Sequence, residues 1–277
     1  MSGEEDWEEE WEDGPQAKSA GWLPAENNGD RVSSSLALGI LAMVPMFIAY
    51  EYGLASDASL PRSQSEHAMF RILDIFPVST VLLRSTILSL CVIVAGALCF
   101  SRRVALVPSL FRICVEGFVA ACAFGPIMAY GIGLFGGFEN EVAPLAADTG
   151  LPVAARVFGA AAFEELLFRV GLFSLLFVLS RRVLLFFGAR DRVSSWTSEF
   201  LAAVGAALAF AAMHLSVCTA WLGESGESFD AAMFAWRFLA GLLLALLFRW
   251  RGPGVAAWTH ALFNLALLIG AGPEIWL

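Results

Sequence analysis

The sequence predicts an all-α, polytopic transmembrane helical bundle of about seven spans, preceded by an acidic tail. Three observations carry this. First, 58% of the residues are hydrophobic and the mean hydropathy is +0.70, whereas soluble domains run at about 45–50% apolar. Second, the chain contains several unbroken apolar runs of about 20 residues, the length that crosses a bilayer as a helix. Third, these runs lack the apolar–polar alternation of barrel strands, which leaves the helix as the structure that satisfies its own backbone in lipid.

Residues 1–33 form the tail and residues 34–277 the transmembrane domain. Of 26 acidic and 17 basic residues, ten acidic and one basic fall within residues 1–30, so the net charge of −9 belongs to the tail and the rest is balanced. Such a segment buries too little apolar surface to fold alone and is expected to be a disordered, cytoplasmic extension. Trp7 and Trp11, four residues apart among glutamates, would share a face if the tail became helical against a basic partner. The tail has neither the basic start nor the apolar run of a signal peptide. No basic patch exists to neutralise phosphates, which excludes nucleic acid as a partner.

The predicted spans are 34–53, 76–100, 113–136, 154–180, 199–222, 231–249 and 254–275. Residues 104–112 are apolar too, but joining them to the third span gives a helix well beyond the ~30 Å hydrocarbon core. They are assigned to the membrane interface. Arg102 and Arg103, then Arg181, Arg182, Arg190 and Arg192, then Arg249 and Arg251 follow alternate spans. The positive-inside rule therefore puts the N-terminus in the cytoplasm. Arg62 and Arg71, in the first loop, run against this pattern. The five cysteines form no C-x-x-C and lie in or beside apolar runs, so they are read as packing residues.

Charges inside spans are costly, about 2.5–3.5 kcal/mol each at a helix centre, and are functional candidates by default. The fourth span holds Glu164, Glu165 and Arg169, the fifth Phe210 and His214, the seventh His260 and Asn264. The third histidine, His67, is placed in a loop. Residues four apart share a helix face, so Glu165 and Arg169 are spaced to neutralise each other, and His260 and Asn264 point one way. Glu164 is turned about 100° from Glu165 and requires a different partner. Other charges read as structural: Arg84 pairs or snorkels, Arg112 and Glu116 pair near the interface, and Arg237 reaches the surface. A lone His or Asn in a span often makes one interhelical hydrogen bond and nothing more. Two glutamates, two histidines and an asparagine on three helices supply a base, auxiliary protonatable groups and oxyanion donors, the parts of a hydrolase.

In order along the chain, EELLFR, FAAMH and HALFN resemble the EExxxR, FxxxH and HxxxN motifs of the CPBP family, the CAAX proteases and bacteriocin-processing enzymes, which includes the type II CAAX prenyl endopeptidases. The resemblance covers residues 153–275. It implies a glutamate-dependent intramembrane endopeptidase acting on a membrane-embedded or lipid-anchored peptide or protein. By position, Glu164 would be the general base, His214 would help hold the water, His260 and Asn264 would form the oxyanion hole, and Glu165 with Arg169 would orient the site. The composition suggests a bacterial cytoplasmic (inner) membrane.

No cofactor is expected. Because H-E-x-x-H is absent, zinc is not favoured, yet two histidines and a carboxylate on separate helices also suit zinc, which leaves a metal-dependent variant open. A non-catalytic immunity or scaffold protein is the other alternative; a proton-coupled transporter is more distant, as no inverted repeat is found. Depth raises a difficulty. At about 1.5 Å per residue, Glu164 lies about 15 Å from the outer end of its span and His260 about 9 Å from the inner end of its own.

Overall fold

A computed structural model of the protein describes residues 28–56, 62–134, 151–223 and 226–269. Of the described residues, 87% are helical. Its elements are α1 (Asn28–Ser56), α2 (Gln64–Leu73), α3 (Thr80–Ser101), α4 (Leu106–Leu134), α5 (Leu151–Glu164), a π-helical stretch (Glu165–Phe173), α6 (Ser174–Phe186), α7 (Asp191–Ala212), α8 (Ser216–Thr219), a 3₁₀ turn (Ala220–Leu222), α9 (Ala231–Arg251) and α10 (Pro253–Leu268). Residues 1–27, where most of the acidic tail falls, lie outside the described residues.

Among the described residues, five helices are long and apolar enough to cross a membrane: Leu36–Ser56, Thr80–Ser101, Leu106–Gly131, Asp191–Ala212 and Ala231–Arg251. The predicted span 154–180 falls on α5, the π stretch and α6, which run without a break. The predicted span 254–275 falls on α10 and continues beyond the described residues.

Packing centres on α10. It touches α1, α4, α5, α9 and the π stretch, and ten of its residues, His260 among them, are buried. A single residue, Gly252, turns the chain from α9 into α10. Its φ of +83° suits glycine, and Pro253 follows at the helix start, where a missing N–H is harmless. Against α1, a Cβ on Gly254 would stand 2.9 Å from the Gly39 Cα, so two glycines let these backbones meet. Met43 and Met46 of α1 then pack with Ala161 and Ala162 of α5 and Ala257 and Ala261 of α10. By contrast α3 and α4 present Leu82, Leu90, Ile93, Phe111, Phe118 and Val119 outward, as lipid-facing helices do.

The arginine-rich ends gather at one end of the bundle. Arg249 of α9 bonds Glu199 near the start of α7 at 2.7 Å, Arg181 of α6 bonds Asp191 at 2.6 Å, and Arg251 bonds Glu116 of α4. Arg112 also bonds Glu116, at 2.7 Å, as its spacing predicts.

Three expectations are corrected. Residues 106–112 are the first turns of α4, not a separate interfacial segment, because Pro108 falls in the first turn, where it breaks no helical bond. His67 stands on α2, an amphipathic helix capped by the Ser63 side chain. The fifth span ends at Ala212 rather than 222. Hydropathy misses that end because Leu215, Val217 and Trp221 stay apolar, while the backbone is diverted into a bridge. Ser216 N–H bonds the Glu227 carbonyl at 2.8 Å, and Glu227 N–H bonds the His214 carbonyl at 3.0 Å.

Candidate active site

The two glutamates sit at the junction where α5 widens into the π stretch. Such i→i+5 bulges disturb the regular rotation of side chains and occur often at functional sites. Glu165 is fully buried, as is Arg169 one turn on, and their charged groups lie 3.2 Å apart, the pairing that the i,i+4 spacing predicts. The Ser174 hydroxyl donates to the Arg169 carbonyl at 3.4 Å, using an acceptor inside the irregular stretch.

His260, from the centre of α10, stands between the glutamates. Its Nδ1 lies 2.9 Å from Glu165 Oε1, and its Nε2 lies 3.5 Å from Glu164 Oε2. A carboxylate paired with Arg169 is an acceptor only, so Nδ1 donates and Nε2 is the nitrogen turned to Glu164. The sequence placed the glutamates on different faces, with separate partners. They meet one histidine instead, through its two ring nitrogens. Glu164 is partly exposed, with 16% of its side chain accessible against none for Glu165. The two carboxylates therefore differ in role: one is sealed and paired, the other open.

Phe210 of α7 joins the pieces. The Arg169 guanidinium lies over its ring at 4.7 Å, a cation–π distance. The rings of His260 and His214 lie edge-on to it at 5.8 and 5.3 Å, and that of Phe168 at 5.4 Å. His214 stands past the end of α7, with Nδ1 2.9 Å from the Phe210 carbonyl. It shares the electrostatic field of Glu164, Arg237 and Glu227. The structure thus unites Glu164, Glu165, Arg169 and His260, and puts His214 beside Phe210, which also touches His260 and Arg169. Asn264 follows His260 by one turn on α10 and is half-buried.

One contributor went unnoticed in the sequence. Arg169 donates to the Gly241 carbonyl of α9 at 3.3 Å. A Cβ on Gly241 would stand 3.1 Å from the Ala207 Cα and 3.2 Å from Phe210 Cδ1, so glycine sets the α7–α9 approach. A lone glycine in the apolar run of α9 was the signal, of the small-residue kind that marks helix contacts in membranes. Arg237, expected at the surface, makes two 2.7 Å bonds to the exposed Glu227, which hold that carboxyl below the usual carboxylate range. Among the described residues, no three His, Cys, Asp or Glu side chains are grouped as ligands of one metal ion.

The fold and site define an integral membrane helical protein with a carboxylate–histidine centre buried in its bundle. Residues 147–266 match the model of the family described as type II CAAX prenyl endopeptidase Rce1-like. This stretch, less than half of the chain, contains all six predicted site residues and is similar to that family. Comparison with curated proteins and with solved structures returned no match. The family is one of membrane proteases, and its apolar setting points to substrates held in the membrane.

Proposed function

We propose that the protein is a glutamate-dependent intramembrane endopeptidase. The observation that carries this is His260, fixed by Glu165 through Nδ1 and turned by Nε2 toward the open Glu164. A carboxylate and an imidazole nitrogen 3.5 Å apart can both reach one water molecule. Glu164 takes a proton from that water as its oxygen attacks the scissile carbonyl carbon. His214, beside Phe210 and in the field of Glu164, helps hold the water. The Asn264 amide donates to the developing oxyanion, with the His260 ring, its Nδ1 proton engaged by Glu165, beside it. The C–N bond then breaks, and the leaving amine takes the proton from Glu164. Glu165 and Arg169 keep His260 in register. No metal takes part in these steps.

The substrate class is a peptide or protein held in the bilayer, cut near its C-terminus. The arginines at one end of the bundle support an N-terminus on the cytoplasmic side, and the composition suggests a bacterial cytoplasmic membrane. The deciding experiment compares peptide termini in membranes carrying the wild type or Glu164→Gln. We expect at least one terminus to depend on Glu164. Identical termini at equal protein levels would favour a non-catalytic scaffold. Metal analysis of active, purified protein tests the metal-free chemistry: stoichiometric zinc with loss of activity on chelation would overturn it.

A further inference from the structure

A second buried polar cluster lies outside the region matched to the family. Glu66 of α2 has no solvent exposure. Its carboxylate accepts from the Tyr50 hydroxyl at 2.5 Å, from Arg62 at 2.7 Å and from Arg84 of α3. Arg84, itself buried, also bonds Glu51 of α1. The Ser63 N–H donates to the Tyr50 oxygen at 3.1 Å, so the start of α2 is tied in as well.

This cluster closes on Phe163, the residue directly before Glu164. The Arg84 guanidinium lies 5.7 Å over the Phe163 ring. The rings of Tyr50 and Phe47 meet Phe163 at 5.5 and 5.0 Å. One turn earlier, Gly159 leaves the space that the Tyr50 ring fills. Three elements of the N-terminal part thus converge on the last turn of α5, where the backbone changes from α to π. Glu66 and Arg84 are held away from water, with Arg62 and Glu51 partly exposed at the rim; a buried ion pair is costly to assemble, and a helix that needed only to pack could use apolar side chains there.

We propose that Tyr50, Glu66 and Arg84 are positioning residues for Glu164, acting through the Phe163 ring. They fix the rotation of the α5 end and hence the direction of the Glu164 carboxylate relative to His260. Aromatic and cation–π contacts are directional, so the ring transmits a shift of the cluster to its neighbour in the chain. The inference rests on the protease reading for the meaning of Glu164, but its test does not require proteolysis.

The test uses the full-length protein in phospholipid vesicles and a hydrophobic carbodiimide, which modifies membrane-embedded carboxyls. Mass spectrometry reads the rate of modification at Glu164. We expect Glu66→Gln to change this rate by at least about threefold, and Tyr50→Phe to change it in the same direction by less. In a Phe163→Leu background, Glu66→Gln should add nothing, because the route is already cut. A purely structural cluster would lower the unfolding temperature while the effects of Glu66→Gln and Phe163→Leu on labelling multiply independently. That result, or an unchanged rate, overturns the proposal. If Glu66→Gln does not fold, Tyr50→Phe with and without Phe163→Leu decides by the same criterion. Hydrolysis of a farnesylated C-terminal peptide that persists while labelling ignores both Glu66→Gln and Tyr50→Phe sinks the positioning idea alone. Cluster-dependent labelling in a protein that changes no membrane terminus sinks the protease reading alone.

Discussion

Two buried arginine–glutamate pairs stand in this bundle, and they are satisfied to different degrees. Glu66 uses both carboxylate oxygens, with three side-chain donors. Glu165 uses one oxygen for both His260 and Arg169, and its Oε2 has no partner among the described residues. Arg169 likewise leaves Nε and Nη1 without hydrogen bonds. Buried polar groups are normally paired, and a catalytic role is one explanation of an exception. In the first pair only Arg84 Nε is left without a hydrogen bond; a nearly saturated pair fixes structure, whereas a sparsely bonded pair beside an open carboxylate leaves capacity for reacting groups.

The largest test of this contrast is Glu164→Gln. The Glu164 side chain makes no hydrogen bond to a described residue, so we expect proteolysis to fall by about 10²–10⁴-fold with the thermal unfolding temperature nearly unchanged. A large loss of stability would make Glu164 structural and break the comparison. Next comes Glu66→Ala, which strands two arginines and a tyrosine. Thermal unfolding should report a loss of about 3–5 kcal/mol, the usual cost of removing one partner of a buried pair.

Gly241→Ala should cost about 1–3 kcal/mol as overpacking. The Ala207 backbone in its way has no rotamer to yield, so α9 must retreat and take the Arg169 acceptor with it. Activity and unfolding temperature should fall together.

The smallest effect concerns pH. The Glu227 carboxyl titrates below its unfolded range because Arg237 bonds the charged form. Its contribution is present in full above the unfolded carboxylate pKa and fades as pH falls through the folded one. Glu227→Gln should therefore flatten a slight acid loss of stability, read from unfolding temperatures across acidic pH. More than half of the Glu227 side chain is exposed, which keeps the effect small.

The Glu165–Arg169 and Arg112–Glu116 pairs were legible because helical spacing alone brings such residues together. The chemical parts of the site were legible for a related reason: polar groups inside apolar runs stand out, and three motifs followed in order. His214 was found as a residue and misplaced as a helical one, since its helix stops where hydropathy does not. Depth counting separated Glu164 from His260 because it took each helix to end at a membrane face. The helix from Leu151 to Phe186 spans about 54 Å at 1.5 Å per residue, far beyond the hydrocarbon core.

By itself, the sequence determined a helical membrane protein and the face each charged residue occupies on its own helix, because helix periodicity and the cost of polar groups in lipid are local rules. The tertiary structure alone decided that one histidine serves both glutamates, that Gly241 receives Arg169, and that a loop helix buries Glu66 behind Phe163. Those are contacts between segments far apart in the chain. Close packing and glycine-permitted helix approach select them, and neither is written in the spacing of any single helix.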